Sequence, residues 1–190
     1  MYSVTHSLRA FLLVASGVLW IISNAEAESC SGTNCKIGVL FKGTYLEDTC
    51  DVVINNGSST ETVVLPTLST ATLKSNGAEA GSVSFTILLK GCPVKKTVSL
   101  WFASNDADSA TGNMVNATGA EYSNNVQLRL RNAAGSQMII NDRNSVQDYI
   151  IPDAGGDISH DYQAMYYANS AGGVTPGLVN AMASINLIYR

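Results

Sequence analysis

The chain has 190 residues, of which 46 % are apolar and 14 % are charged, and its formal net charge is −4. This length favours one domain with short appendages. The few Lys and Arg residues do not form the clustered basic footprint that nucleic-acid binding requires, so no nucleic-acid partner is expected.

The first 27 residues have the pattern of a secretory signal peptide. Arg9 supplies a positive charge, residues 10–22 form a short apolar run, and residues 25–27 read Ala-Glu-Ala, a small-x-small cleavage site. The apolar run is shorter than the roughly 20 residues of a membrane-spanning helix, which favours cleavage over a retained anchor. We expect the mature chain to start at Glu28 and to leave the cytoplasm.

Four cysteines remain in the mature chain: Cys30, Cys35, Cys50 and Cys92. An even number of cysteines in an exported chain indicates disulfides. Four cysteines allow three connectivities, and their spacing does not choose among them. Zinc is the alternative, but no C-x-x-C pair occurs and the one histidine of the mature chain, His160, is distant in sequence. We therefore expect disulfides, with no metal or cofactor.

Short apolar or alternating runs, separated by segments rich in Gly, Asn, Ser and Asp, predict β-strands along the chain. The predicted strands are 37–41, 62–66, 82–89, 97–103, 126–131, 137–140, 162–168 and 183–189. Many short strands with turn signals between them predict a β-sandwich with Greek-key connections.

Two of these segments carry finer predictions. Residues 126–131, VQLRLR, alternate so strictly that Val126, Leu128 and Leu130 are expected to face the core, with the intervening polar residues facing outward. Residues 68–81 show no clear period, and we expect at most one helical turn there, within a crossover between sheets.

Few residues resemble a catalytic site. His160 lies between Ser159 and Asp161, but a catalytic triad is defined by spatial geometry, not by adjacency in sequence. No nucleophile elbow of the G-x-S-x-G type is present. We therefore interpret His160 as a solvated loop residue and expect no enzymatic activity.

Three residues could take part in sugar binding or in glycosylation. Trp101 could stack on a sugar, but its position within a predicted strand favours the core. Asn56 and Asn116 begin glycosylation sequons. Both lie in stretches rich in turn-forming residues, and turns account for them.

Four segments, in this order, resemble the subunits of bacterial chaperone–usher fimbriae, the type 1 pilin family. Residues 38–50, GVLFKGTYLEDTC, resemble the family's first strand and first cysteine, and residues 63–73 resemble its V-x-L-P segment. Residues 84–93, SFTILLKGCP, match the element that bears the second cysteine. Residues 166–190 match the closing segment with its penultimate tyrosine. Together they extend over nearly the whole mature chain.

The resemblance implies an all-β, immunoglobulin-like Greek-key sandwich that lacks its last strand and is completed by a donor strand from another protein. It implies a donor-strand extension at residues 28–37 and a pilin domain at residues 38–190. A disulfide would join Cys50 to Cys92. The final strand would border a hydrophobic groove and be recognised by the chaperone, through Ala183, Ile185, Leu187 and Tyr189.

The implied function is that of a structural fimbrial subunit that supports adhesion. The chain would be exported to the periplasm, where a chaperone lends it a strand, and would then pass through an outer-membrane usher to join neighbouring subunits in the cell-surface fimbrium. The resemblance does not identify a host receptor. The alternative is a secreted, lectin-like β-sandwich module or tip adhesin. From alternation alone, an ordinary secreted sandwich would also fit.

The expected donor segment presents Ile37, Val39 and Phe41 on one face. The family usually carries a glycine where this chain has Ile37, and Gly38 points the other way. Cys30 and Cys35 are a second departure. Five extended residues span about 16 Å, whereas a disulfide needs Cα atoms within about 7 Å. If these two cysteines pair, the extension bends and shortens, which would suit a minor or terminal subunit better than a shaft subunit.

Overall fold

Ten short β-strands account for nearly all the secondary structure of residues 49–190, the part of the chain that the computed structural model describes. A single 3₁₀ turn, Thr70–Thr72, lies in the connection between the first and second strands. The strands are β1 Asp51–Ile54, β2 Glu79–Lys90, β3 Thr97–Ala103, β4 Ala107–Asp108, β5 Asn113–Val115, β6 Val126–Asn132, β7 Gln137–Met138, β8 Gln147–Ile150, β9 Ile158–Ala168 and β10 Ser184–Tyr189. Within this part of the chain, no helix is long and apolar enough to cross a membrane.

The strands form two antiparallel sheets. The larger sheet has the order β1-β2-β9-β6-β5-β4, with β7 also paired to β6, and the smaller sheet has the order β10-β3-β8. Several strands that neighbour each other in a sheet are distant in sequence, as in β2–β9 and β10–β3. The connections therefore cross between the sheets, which is the Greek-key arrangement. This architecture confirms the predicted immunoglobulin-like sandwich.

The core lies between the two sheets. One cluster joins Ile87, Leu89 and Tyr162 of the larger sheet to Leu100 and Tyr149 of the smaller one, and all five are fully buried. The hydroxyl groups of Tyr149 and Tyr162 lie 3.0 Å apart. Burial raises the pKa of both tyrosines well above 10, so the hydroxyls stay protonated and can satisfy each other.

Most of the predicted strands within the described residues are confirmed. The predictions for 97–103, 126–131 and 183–189 agree with the observed strands to within a residue, and those for 82–89 and 162–168 lie inside longer ones. The prediction for 137–140 is half right, because only Gln137 and Met138 pair. The expected single helical turn within 68–81 is confirmed by the 3₁₀ turn.

The strand predicted at 62–66 is wrong. These residues make no ladder, although Val63 and Leu65 still pack against the core while Val64 is 77 % exposed. The alternating pattern of residues 62–66 therefore belongs to a segment that covers the core but does not pair with a neighbouring strand. Conversely, β1, β4, β5 and β8 were not predicted, because they are two to four residues long and too short to show a period.

The outer face of the larger sheet carries a polar network. Gln127 is expected to face outward and does, yet it is only 1 % exposed. Its amide nitrogen donates to Asp108 (2.6 Å), and its amide oxygen accepts from Asn113 (2.9 Å). Arg129 donates to Asn113 at 2.9 Å and to Glu79 at 2.6 Å. The network satisfies each of these buried polar groups and fixes the outer face of three strands.

Candidate functional site at the open edge of the last strand

Among residues 49–190, strand β10 is paired along one edge only. All six of its residues pair with β3, from Ser184 opposite Ala103 to Tyr189 opposite Val98. Within residues 49–190, its other edge pairs with no strand. A strand edge of this kind presents backbone N–H and C=O groups to any segment that lies beside it. We call it the open edge.

The side chains of β10 divide into two sets. Ile185 and Leu187 pack against the core, yet remain half-buried, as does Ala183 just before the strand. Ser184 and Asn186 point to the opposite face. Residues of comparable type on the central strand β3, such as Leu100, are fully buried. The open edge is therefore bordered by apolar side chains whose burial is incomplete.

The larger sheet also ends in a one-sided strand at this place. β1 pairs only with β2 among the described residues. The backbone N–H of Cys50, just before β1, donates to the hydroxyl of Tyr189 at 2.9 Å. This bond joins the two edge strands at one end. Among the described residues, the gap between β1 and β10 therefore has a strand edge without a partner on each side. We call this gap the groove.

The segment that carries the open edge is fixed at its C-terminal end. Thr97 and Arg190 exchange two backbone hydrogen bonds, of 3.1 and 2.9 Å, and these continue the ladder beyond the strand. Together with the Tyr189 hydroxyl bond, they hold the end of the chain against both sheets. The last strand is therefore a structural element and not a frayed tail.

Asn116 fixes the other end of this segment. It is 6 % exposed, and its amide nitrogen donates to the carbonyl oxygens of Ser123 (2.7 Å) and Leu178 (3.0 Å). Its amide oxygen accepts from the backbone N–H of Asn180 at 2.7 Å. All its polar atoms are used in tying the approach to β10 to the β5–β6 loop. Sequence reasoning missed this role, because an N-A-T sequence reads as a turn or a sequon.

A disulfide joins Cys50 to Cys92, across 42 residues of sequence. This is the pairing that the resemblance to type 1 pilins implies, and it fastens the start of β1 to the β2–β3 turn. Cys50 and Cys92 are therefore not available as zinc ligands. Among residues 49–190, no group of three candidate metal-ligating residues occurs. Cys30, Cys35 and the expected donor residues Ile37, Val39 and Phe41 lie outside the described residues.

Two other predictions are corrected here. His160 is not a loop residue: it lies in β9, half-buried, with its ring edge-on to Tyr149 at 4.5 Å. Trp101 is not a core residue, because its neighbours Leu100 and Phe102 occupy the core face of β3. The indole lies on the outer face, beneath the guanidinium of Arg143 at 5.5 Å.

The turn interpretation of Asn56 agrees with the structure. Asn55 and Asn56 both have positive φ, of 49° and 60°, and Gly57 donates to the carbonyl of Ile54 at 2.8 Å. This is the geometry of a type I′ turn, in which asparagine is favoured.

Fold and site together define an immunoglobulin-like β-sandwich whose final strand has an open, apolar edge. A family model for fimbrial proteins matches residues 39–190, and the chain belongs to the fimbrial protein family. Members of this family are structural subunits rather than enzymes. They are exported to the periplasm and assembled into fimbriae at the cell surface.

Individual relatives agree with this assignment. The F17 fimbrial protein of Escherichia coli is 33 % identical over 91 % of this chain and 98 % of its own length. The major fimbrial subunit SMF-1 of Stenotrophomonas maltophilia is 30 % identical over 80 % of this chain and 91 % of its own length. Among solved structures, the P pilus rod subunit PapA superposes with a TM-score of 0.58 at 19 % identity, over 74 % of this chain and 99 % of PapA. That superposition supports the fold.

Proposed function

We propose that this fimbrial subunit polymerises by donor-strand exchange at the open edge of β10. The observation that carries the proposal is the one-sided pairing of β10 together with the half-burial of Ile185 and Leu187. A strand added at this edge would satisfy its backbone groups and cover its apolar side chains. A periplasmic chaperone would supply that strand before assembly at the outer-membrane usher, and a neighbouring subunit would supply it in the fimbrium.

The donor would be the segment that precedes the sandwich. Ile37, Val39 and Phe41 fall on one face of an extended chain, so they could enter a neighbour's groove as alternate plugs. Burial of each would contribute roughly 1.5–3 kcal/mol. On this proposal, residues 1–27 are the cleaved signal, residues 28–37 form the extension and residues 38–190 form the pilin domain.

The position of the subunit in the fibre would depend on Cys30 and Cys35. If they pair, the loop leaves only about residues 36–41 to lie straight in a groove, because the paired Cα atoms must approach within about 7 Å. A subunit with so short an extension would accept a strand better than it donates one. We therefore propose a minor or terminal position for this subunit.

The test separates donating from accepting. Deletion of residues 28–37 should leave a folded, chaperone-bound subunit that accepts a donor strand and supplies none. Val39→Asp with Phe41→Asp should have the same effect, whereas Leu40→Asp, on the opposite face of the segment, should polymerise normally. The measurement mixes purified chaperone complexes and follows polymer ladders on unheated gels.

Each outcome has a defined meaning. Full-rate polymerisation of the truncated protein would place the donor segment elsewhere in the chain. If the intact protein accepts strands but never donates, and regains donation when Cys30 and Cys35 are both replaced by Ser, the terminal position is supported. Equal donation with and without these cysteines would overturn that part of the proposal.

A further inference from the structure

The turn between β2 and β3 presents one apolar and two basic side chains at one end of the sandwich. Val94 is 47 % exposed, and Lys95 and Lys96 are exposed beside it. The backbone N–H of Ile151 donates to the carbonyl of Lys96 at 2.9 Å, which anchors the turn to the loop between β8 and β9. We call residues 94–96 the basic turn.

The basic turn lies where the described chain begins, since Cys92 is bonded to Cys50. Lys90 and Arg190 add two basic side chains at this end, and the acidic residues there are Asp51, Asp153 and Asp157. Within residues 49–190, ion pairs are formed only by Glu79 with the two arginines of β6. Within the described residues, Lys95 and Lys96 therefore form no ion pair with the acidic residues at this end.

The opposite end of the smaller sheet contains a hollow of about 330 Å³. Its lining includes Ser104, Asn105, Asp106, Asn141 and Met182. The Ser104 hydroxyl donates to the carbonyl of Met182 at 2.7 Å, and the Asn141 amide donates to the carbonyl of Ser104 at 2.9 Å. These bonds hold the rim in place, so the hollow is pre-formed.

The hollow complements the basic turn in charge and polarity. Asp106 lines it, and Asp142 follows Asn141 on its rim. The nearby cation, Arg143, lies over the ring of Trp101. Met182 is 82 % exposed and offers an apolar contact that Val94 could cover. An acidic hollow with one exposed methionine thus matches a turn with two lysines and one exposed valine.

The two features lie at opposite ends of one strand. The basic turn precedes Thr97, the first residue of β3, and the hollow begins at Ala103, its last residue. Copies stacked along the strand direction bring the turn of one copy to the hollow of the next. A head-to-tail contact of this kind joins different surfaces of the two copies, and it propagates as a filament when the rotation between copies does not close a ring.

We propose that the hollow receives the basic turn of a second copy of this chain, as an end-to-end contact that accompanies strand exchange. This proposal rests on the proposed function and adds to it a contact between the sandwich domains of successive copies. Thr49 precedes Cys50, which the disulfide holds beside the basic turn. A donor segment inserted antiparallel to the acceptor's β10 would end beside Ser184, and would bring the basic turn to the acceptor's hollow.

The test uses matched charge reversals. Lys96→Glu and Asp106→Lys should each slow polymerisation of chaperone-bound subunits about five- to tenfold at low salt, because removing complementary charges lowers the association rate. The double variant restores the complementarity and should polymerise within about twofold of the wild type. Lys74→Glu, which changes the net charge equally but lies before β2 at the other end, should not slow assembly. At about 0.5 M NaCl all rates should converge, because salt screens exposed charges.

A second measurement separates this contact from strand exchange itself. A synthetic peptide of residues Lys36–Asp48 contains the donor segment but not the basic turn, so all variants should capture it at similar rates. If the wild type does not capture the peptide, the proposed function fails. If it does, and Lys96→Glu polymerises at the wild-type rate or the double variant is no faster than the singles, the end-to-end contact is overturned.

Discussion

The hydroxyl of Tyr189 accepts a hydrogen bond from the backbone N–H of Cys50, 139 residues earlier in sequence. This bond joins the last strand of the smaller sheet to the first strand of the larger one. It lies next to the Cys50–Cys92 disulfide, so a single corner of the sandwich gathers the start of the described chain, its end and its covalent cross-link. The groove opens from this corner.

Tyr189→Phe should destabilise the subunit by about 0.5–1.5 kcal/mol, the usual contribution of one partly buried hydrogen bond. The midpoint of urea unfolding measures this loss. Tyr167→Phe is the matched control, because the Tyr167 hydroxyl makes no hydrogen bond within residues 49–190. Identical midpoints for the two variants would show that the Tyr189 bond does not contribute.

The two faces of β10 should respond differently to charge. Ile185→Asp with Leu187→Asp places carboxylates against the core, where an unpaired charge is costly, and periplasmic accumulation of the subunit should be lost. Ser184→Asp with Asn186→Asp places the same two charges on the opposite face, and accumulation should stay near normal. Immunoblots of periplasmic extracts provide the comparison. Normal levels of the first variant would mean that the terminus is dispensable.

Replacing Cys50 and Cys92 by Ser should cost about 2–5 kcal/mol, because the disulfide constrains a long loop in the unfolded chain. Non-reducing peptide mapping should recover one peptide pair that contains both cysteines. Recovery of Cys50 joined to Cys30 or Cys35 would contradict this connectivity.

Glu79 should make stability depend on pH. Partial burial by itself would raise the pKa of Glu79, but hydrogen bonds and positive charge from Arg131 and Arg129 outweigh it, and the pKa lies below its ordinary 4.5. The stabilisation is therefore complete above pH 4.5 and is lost as the pH falls through the lowered pKa. Because the network is partly exposed, we expect about 0.5–1 kcal/mol.

Glu79→Gln provides the control for this pH dependence. Other carboxylates titrate in the same range, so the difference between the two proteins is the relevant quantity. The free energies of unfolding of wild type and variant should converge as the pH falls below 4.5. If the two curves of unfolding free energy against pH stay parallel from about pH 3 to about pH 6, Glu79 does not contribute to the pH dependence.

Asn116→Ala should destabilise the fold by about 1–3 kcal/mol, because it leaves the carbonyl of the buried Ser123 without its Asn116 partner and removes the bonds to Leu178 and Asn180. Asn169→Ala, at an exposed position, should be nearly neutral. Thermal unfolding of both variants measures the difference. A loss for Asn116→Ala no larger than that for Asn169→Ala would contradict the anchoring role of this side chain.

Much of the site was accessible from the sequence, because its chemistry is that of strand alternation. Ile185 and Leu187 alternate with Ser184 and Asn186, and this period of two predicted both the last strand and its core-facing side. The roles of Gln127 and Asn116 were not accessible. Both are polar residues that become buried only because distant segments supply their hydrogen-bond partners, and no local pattern records those partners.

The sequence by itself determined where the longer strands β2, β3, β6, β9 and β10 lie, which residues of β6 and β10 face the core, and the family to which the chain belongs. Only the tertiary structure decided which strands pair and which edges remain open. It left residues 62–66 out of the sheet and turned Trp101 outward, although both segments are apolar. The physical reason is that alternation reports the two faces of an extended segment. Whether each face is covered, and whether each edge has a partner, depends on residues far away along the chain.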